Sequence, residues 1–530
     1  MAMDGAAYFI HGHALRMNAG VICNFYNSVS RDRSCREGRR TCSGHPTKPY
    51  RRRRSYPVTL NLIGKKTLGE AIFGEAKLGN RARTARLVTI FDQLRRHPGS
   101  TLPNKLASPP DLKALYRLME RPEVTHEALM ASLRAYTLKN IVACEGVVLL
   151  VHDATELDYT NREPLAAELG QIGNGSRRGY ISHHVLAMDP QTRSVLGLME
   201  QVLHCRDEVP EKETLAEHRA RSTRESRLWI KGTQHLPRDR RLVDVADQGS
   251  DTFEFLEHEY HSGRTFVIRA CKCRVVQAGH EGQGPTSYLS DYVHALPELG
   301  RFTMDVQSQR NGDGSHRAAR QGAEFVVRGG AVLVHPPHAK AGEHGNKPLP
   351  LYAVLLTEVH PPAGEKPVEW LLLTNEPVNH FKDAWRVASW YECRWIVEEY
   401  HKGQKTGVAI EELQFTSVDR LQPAIALLSA VALTLLDLRD ASRRDDAKTR
   451  LATTVISRDY VAVLTVWRYD TVRLDISVHE FYYALARLGG HQNRTNDKRP
   501  GWLVLWRGWI KLQAMLDGYL AAQRKKLGQN

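Results

Sequence analysis

Two short apolar runs that each close on an acid constrain this chain more than any other feature. They are GVVLLVHD (146–153) and RLVDVADQGSD (241–251). Both read as strands. Between them, ISHHVLAMDPQTRSVLGLMEQVLH (181–204) reads as two strands joined by a DPQT turn, followed by a polar helix around 212–232. After the second run, TFEFLEHEY (252–260) reads as a capping helix and RTFVIRACKCRVV (264–276) as a further strand. Strand, hairpin, helix, strand, helix is the order of an α/β domain with a mixed sheet. Acids at strand ends sit on rigid backbone and point to one edge of such a sheet, which marks Asp153 and Asp247. Taken singly, each also fits a turn or a cap.

The flanks differ in character. LGNRARTARLVTIFDQLRRH (78–97) and PPDLKALYRLMERPEVTHEALMASLRAYTL (109–138) have helical periodicity, the second broken at Pro122. Their many arginines suit DNA backbone contact or, equally, a solvated helix face. Residues 277–366 turn to Gly, Pro, His and short β-rich pieces, an insertion with long loops. His335, His338 and His344 within it lack fixed ligand spacing. PVEWLLLTNEPV (367–378) is a strand, and one helix is expected through 382–407. The tail from about 418 is helical, and Trp502, Trp506 and Trp509 lie at the spacing of a packing face.

Formal net charge is +15, which favours a polyanionic partner. Residues 1–60 hold 11 Lys and Arg against 3 acids. Such a block is expected to be disordered, either a nucleic-acid arm or a stretch without function. The eight cysteines form no CxxC pair, which speaks against structural zinc. No export leader is recognised, and the apolar run AIALLSAVALTLLDL (424–438) falls short of the about 20 residues needed to span a bilayer. The expectation is a cytoplasmic protein with a buried apolar helix and no membrane partner.

Two carboxylates at strand ends and a third on a later helix suit two-metal phosphoryl transfer. Mg²⁺ prefers hard oxygen ligands, and two ions about 3.5–4 Å apart can serve the attacking and leaving oxygens. On the expected helix, Tyr391, Arg394, Glu398 and Lys405 lie at offsets 0, 3, 7 and 14. At roughly 100° per residue they share one narrow face. That face carries an acid for metal, two cations for phosphates and a phenol. Arg394 and Glu398 alone also make an ordinary i,i+4 surface pair.

The segment YECRWIVEEYHKGQK fits Y-x₂-R-x₃-E-x₆-K and resembles the YREK signature of cut-and-paste DDE transposases, in particular the bacterial transposon-five type of the insertion-sequence-four family. FGEAKLGNRARTARL and LKALYRLMERPEV resemble that family's N-terminal DNA-binding helices. VHDATELDY and DQGSD occupy the places of its first-Asp and second-Asp strands, and VEWLLLTNEPV, YALARLGG and LDGYLAA also match. The resemblance runs over about 68–525. It departs at DQGSD, where Gln248 and Gly249 replace the usual Arg and Glu after the catalytic Asp.

The resemblance implies a ribonuclease-H-like catalytic core over 141–415 with a β-rich insertion at 277–366, a helical DNA-binding domain over 61–140, and a helical dimerisation region over 416–530. Asp153, Asp247 and Glu398 become metal ligands for two Mg²⁺, with Mn²⁺ able to substitute. Tyr391, Arg394 and Lys405 become DNA-phosphate positions, Trp370 the aromatic that holds a flipped base, and Arg86, Arg96 and Arg117 basic DNA contacts. The implied partners are double-stranded transposon ends, target DNA and a second copy in the synaptic complex, in a nucleoid-associated bacterial setting. The implied chemistry is nicking, hairpin formation, hairpin opening and strand transfer. Two other classes stand beside it: an end-binding protein that no longer cuts, and a structure-selective nuclease without strand transfer.

Overall fold

A computed structural model describes residues 67–527, apart from 98–100, 107, 174, 207–213, 215–216, 218–220, 222, 307, 311–315, 338–343, 495–496 and 498. The basic block 1–60 and His338 lie outside the described residues.

Five helices come first: α1 (Leu68–Phe73), α2 (Arg81–Arg96), α3 (Leu102–Lys105), α4 (Pro109–Met119) and α5 (His126–Ala143). Their starts are written in the sequence. Thr67 and Glu70 form a capping box on α1, and Asn80 and Thr125 accept backbone N–H groups at the starts of α2 and α5. Phe73 packs edge-on against Phe91 at 5.3 Å and joins Leu87, Ile90 and Leu94 in the core.

The centre is one twelve-stranded sheet. Its first part comprises β1 (Val148–Asp158), β2 (Gly170–Gln171), β3 (Arg178–Asp189), β4 (Ser194–His204), β5 (Leu242–Ala246) and β6 (Thr265–Arg269), with α6 (Leu228–Gly232) and α7 (Phe253–His261) between strands. β3 lies antiparallel between β4 and β1, and β1, β5 and β6 run parallel. The chain is therefore α/β with a mixed sheet.

The segment 277–366 does not stand apart as a separate β unit. Its strands β7 (Val275–Ala278), β8 (Gln283–Tyr288), β9 (Glu298–Val306), β12 (Arg320–Val334) and β13 (Leu349–Glu358) extend the same sheet through β14 (Glu369–Thr374), which pairs with β6. α8 (Leu289–Ala295) packs on them, and β10 (Gln309–Arg310) and β11 (His316–Arg317) make a small side hairpin. His335 bonds Gln277 and His344 bonds a backbone carbonyl, so neither faces a shared ligand.

The expected single helix over 382–407 is instead α9 (Phe381–Glu392), α10 (Trp395–Lys402) and a π-helical turn (Gly403–Gly407). Tight i→i+3 bonds at Cys393 and Arg394 mark the first break. The tail holds α11 (Val418–Arg443), α12 (Arg458–Tyr469), α13 (Val478–Leu488) and α14 (Trp502–Leu527). α11 is apolar and long enough to cross a bilayer, yet 94% of its apolar window is buried inside the protein. Trp502, Trp506 and Trp509 are buried, and Trp509 stacks on Tyr460 at 4.8 Å. Gly489 and Gly508 let α13 and α14 touch: a Cβ on either would lie about 2 Å from the other helix's carbonyl oxygen.

Candidate active site

Strand register brings the two aspartates together. Val151 of β1 pairs with Val245 of β5, and Val245 with Val267 of β6. Counting on two residues puts Asp153, Asp247 and Arg269 level across three neighbouring strands. β1 continues to Asp158 as the antiparallel partner of β3, so Asp153 lies within the strand rather than at its end. It emerges at the edge because β5 stops at Ala246 beside it.

α10 completes the cluster. Arg394 donates from Nη1 to Asp153 Oδ2 and from Nη2 to Glu398 Oε1, both at 2.8 Å. The Ala154 N–H holds Asp153 Oδ1 at 2.8 Å, and the Gly249 N–H holds Asp247 Oδ1 at 2.9 Å. Asp247 thereby caps the short turn Gln248–Ser250. A Cβ at Gly249 would stand 3.1 Å from both Asp247 Oδ1 and the Trp229 ring, so glycine leaves the acid its place.

Burial acts on all three acids, as it does on Glu259 and Asp437 elsewhere in the protein. Burial, together with the like charges of Asp247 and Glu398, pushes the Asp153 carboxyl up to about 7 against the pull of Arg394. Burial also raises Asp247 and Glu398. Arg394 is itself pressed by burial, but Tyr391, Asp153, Asp247 and Glu398 outweigh that and hold it charged. Arg394 contacts two of the three acids, and Arg269 lies beside the third, so three acids stand against two buried arginines.

Hard oxygen donors short of counter-charge are the chemistry a divalent cation needs. Asp247 Oδ2 and Glu398 Oε2 accept no hydrogen bond among the described residues, which leaves both lone pairs for a ligand. As they stand, no three such groups among the described residues close around one point, because the Arg394 guanidinium lies between Asp153 and Glu398. The donor set fits Mg²⁺; the arrangement shown is held by an internal cation.

The other sequence candidates divide. Tyr391 is buried, edge-on to Trp370 at 5.1 Å, and lies 5.9 Å from the Arg394 guanidinium. Trp370, expected as a base-stacking platform, is only 2% exposed and packs beneath the site, closed to a base in this conformation. Arg394, expected at a phosphate, is 4% exposed and engages the acids instead. Lys405 lies in the π-helical turn and pairs with Glu411 at 3.4 Å. Its side chain keeps 34% exposure, open to a phosphate.

Other residues of the site carried no signal in the sequence. Arg269 adds positive charge beside Asp247. Asp251 is no ligand: Arg274 clamps it, and it accepts the N–H groups of Cys271 and Lys272. Glu392 is buried against Arg193. On the opposite sheet face, Asp244 joins His152 at 2.7 Å and Arg264, which also bonds Glu259. A second buried network joins His184 of β3 to His401 of α10. Burial drives both imidazoles down, with His401 reaching about 3, so both are neutral.

Residues 68–124 match the family model for transposase DNA-binding. The chain thus carries, in α1 to α4, a module like those that transposases use to bind DNA. Arg86, Arg96 and Arg117 all lie on its exposed surface. Arg86 pairs with Asp111 at 3.2 Å, an ion pair that water and phosphate can both replace. The chain also aligns with a piggyBac transposase solved as a synaptic complex with hairpin DNA, at 7% identity and TM-score 0.30, over 85% of this chain and 80% of that one.

Proposed function

We propose that the chain is a DDE-type DNA transposase of the YREK group, with a ribonuclease-H-like core. One observation carries the reading: Asp153, Asp247 and Glu398 form the site's under-compensated acid cluster, on a sheet edge reached by α10, in a chain with a transposase-type DNA-binding module. Acids left short of counter-charge at one edge mark a functional site rather than a structural one.

Asp153, Asp247 and Glu398 would hold Mg²⁺, which would activate the attacking oxygen and stabilise the leaving one. Arg394 balances the acids and orients Asp153 and Glu398 towards each other. Lys405 is the signature's cation open to a phosphate. Arg86, Arg96 and Arg117 would hold the transposon end through its backbone. Nicking, hairpin formation, hairpin opening and strand transfer are each in-line displacements at phosphorus, so one site suffices for all four. A second copy would pair the two ends, with the helical tail at the dimer interface.

The test incubates the purified full chain with DNA carrying the flanking inverted repeats, with and without Mg²⁺. Hairpin-ended, Mg²⁺-dependent products are expected. Nicks without hairpins would favour a plain nuclease. Binding without cutting would favour the second reading, an end-binding protein weakened by Gln248 and Gly249.

A further inference from the structure

His184 stands directly opposite Asp153 in the β1–β3 pair, so both side chains leave the same face of the sheet. His401 follows Glu398 by three residues on α10, one turn along the same side. The two imidazoles meet: His184 Nδ1 lies 3.1 Å from His401 Nε2. Around the other nitrogen, His184 Nε2, stand the Gln201 amide nitrogen at 3.0 Å, the Gln404 amide nitrogen at 3.1 Å and the Ser182 hydroxyl at 3.1 Å. With the amides so oriented, its single lone pair accepts from one of them, and Nδ1 carries the proton donated to His401. Ser429 of α11 ties both amides at 2.9 and 2.8 Å. All six residues are buried.

We propose that the His184–His401 hydrogen bond is a strut that fixes the Glu398 helix relative to Asp153, making His401 a positioning residue for the acid cluster. The inference rests on the reading of that cluster as a metal centre. The strut is needed because α10 has weak ends. Tight turns at Cys393 and Arg394 precede it and the π-helical turn at Gly403–Gly407 follows, so its own backbone does not lock its rotation. Arg394 links the same two acids at the surface of the site. The histidine bond holds α10 to β3, at the residue paired with Asp153 of β1. Gln404, inside the π-helical turn, reaches His184 because the wider turn swings it inward.

The test compares His401→Leu with His401→Gln, whose amide oxygen can accept from His184 Nδ1 as the imidazole does. Mn²⁺ affinity is read by the paramagnetic resonance of free Mn²⁺ without DNA, and single-turnover nicking and end binding are read in parallel. For His401→Leu, Mn²⁺ affinity and nicking are expected to fall about 10- to 100-fold, as for lost outer-shell support, with end binding unchanged. His401→Gln should recover to within about threefold of wild type. Wild-type values for His401→Leu would overturn the proposal. So would a His401→Gln protein as defective as the leucine variant at equal melting temperature, since packing alone would then be the cause. If the leucine protein does not fold, His401→Met, which keeps volume without a strong acceptor, replaces it with the same two outcomes. Asp153→Ala separates the failures. If wild type binds no Mn²⁺ that Asp153→Ala loses, the metal centre itself fails and the strut with it.

Discussion

Asp244 and Asp247 lie three residues apart on one strand and its end, yet the sheet gives them opposite fates. Asp244 faces His152 and Arg264, and although burial alone would raise its carboxyl, those partners pull it down to about 2. Asp247 and its neighbour Asp153 face the other side, where Arg394 and Arg269 do not outweigh desolvation, and burial pushes them up. The same residue type, equally buried, is structural where partners match its charge and poised for a ligand where they do not. Asp251 belongs with Asp244, clamped by Arg274.

The largest way to sharpen that contrast is Asp244→Ala. It takes from the buried Arg264 one of its two acids and from His152 its partner, and should cost about 3–5 kcal/mol in chemical denaturation, the range for breaking a buried pair. Asp247→Ala should cost far less, because it removes a group that the fold leaves under-compensated. Equal losses would erase the distinction.

Stability against pH, followed by melting in chelator, should then separate the faces. Asp153 has a folded value near 7 against about 3.9 unfolded, so its contribution is present below the unfolded value and is lost as pH rises towards 7. Asp244 has a folded value near 2, so its contribution is present above about 3.9 and is lost as pH falls through 2. Asp153→Asn should flatten the decline between pH 4 and 7 and leave the acid limb intact. A decline that persists in Asp153→Asn would assign it to another group.

Smaller effects are expected at the surface. Arg86→Ala with Arg117→Ala should weaken end binding evenly across sequences and reduce the salt slope by about 2, one for each phosphate no longer neutralised. An unchanged slope would leave both as solvated arginines. Deleting residues 1–60 should leave cutting intact; lost activity would make that block a DNA arm.

Much of the core was legible because strands and caps are local. GVVLLVHD and RLVDVAD read as strands from apolar continuity, and Asn80 and Thr125 start helices as their chemistry requires. What the sequence hid was long-range or phase-dependent. The π-helical turn that carries Lys405 is announced by no periodicity. Trp370 gave no sign of its burial, since a strand aromatic packs or stacks according to what lies over it. His184 and His401 are 217 residues apart, and their meeting depends on the register of β3 against β1. The β-rich segment read as an insertion from its composition, and which sheet its strands join was not legible: they extend the one sheet beyond β14.

The central claim is that the partner-poor acids do the cutting. Asp247→Ala, mixed with end DNA and Mg²⁺, should bind the ends as wild type does and yield no cleaved product. Cleavage at the wild-type rate by that variant would contradict the account.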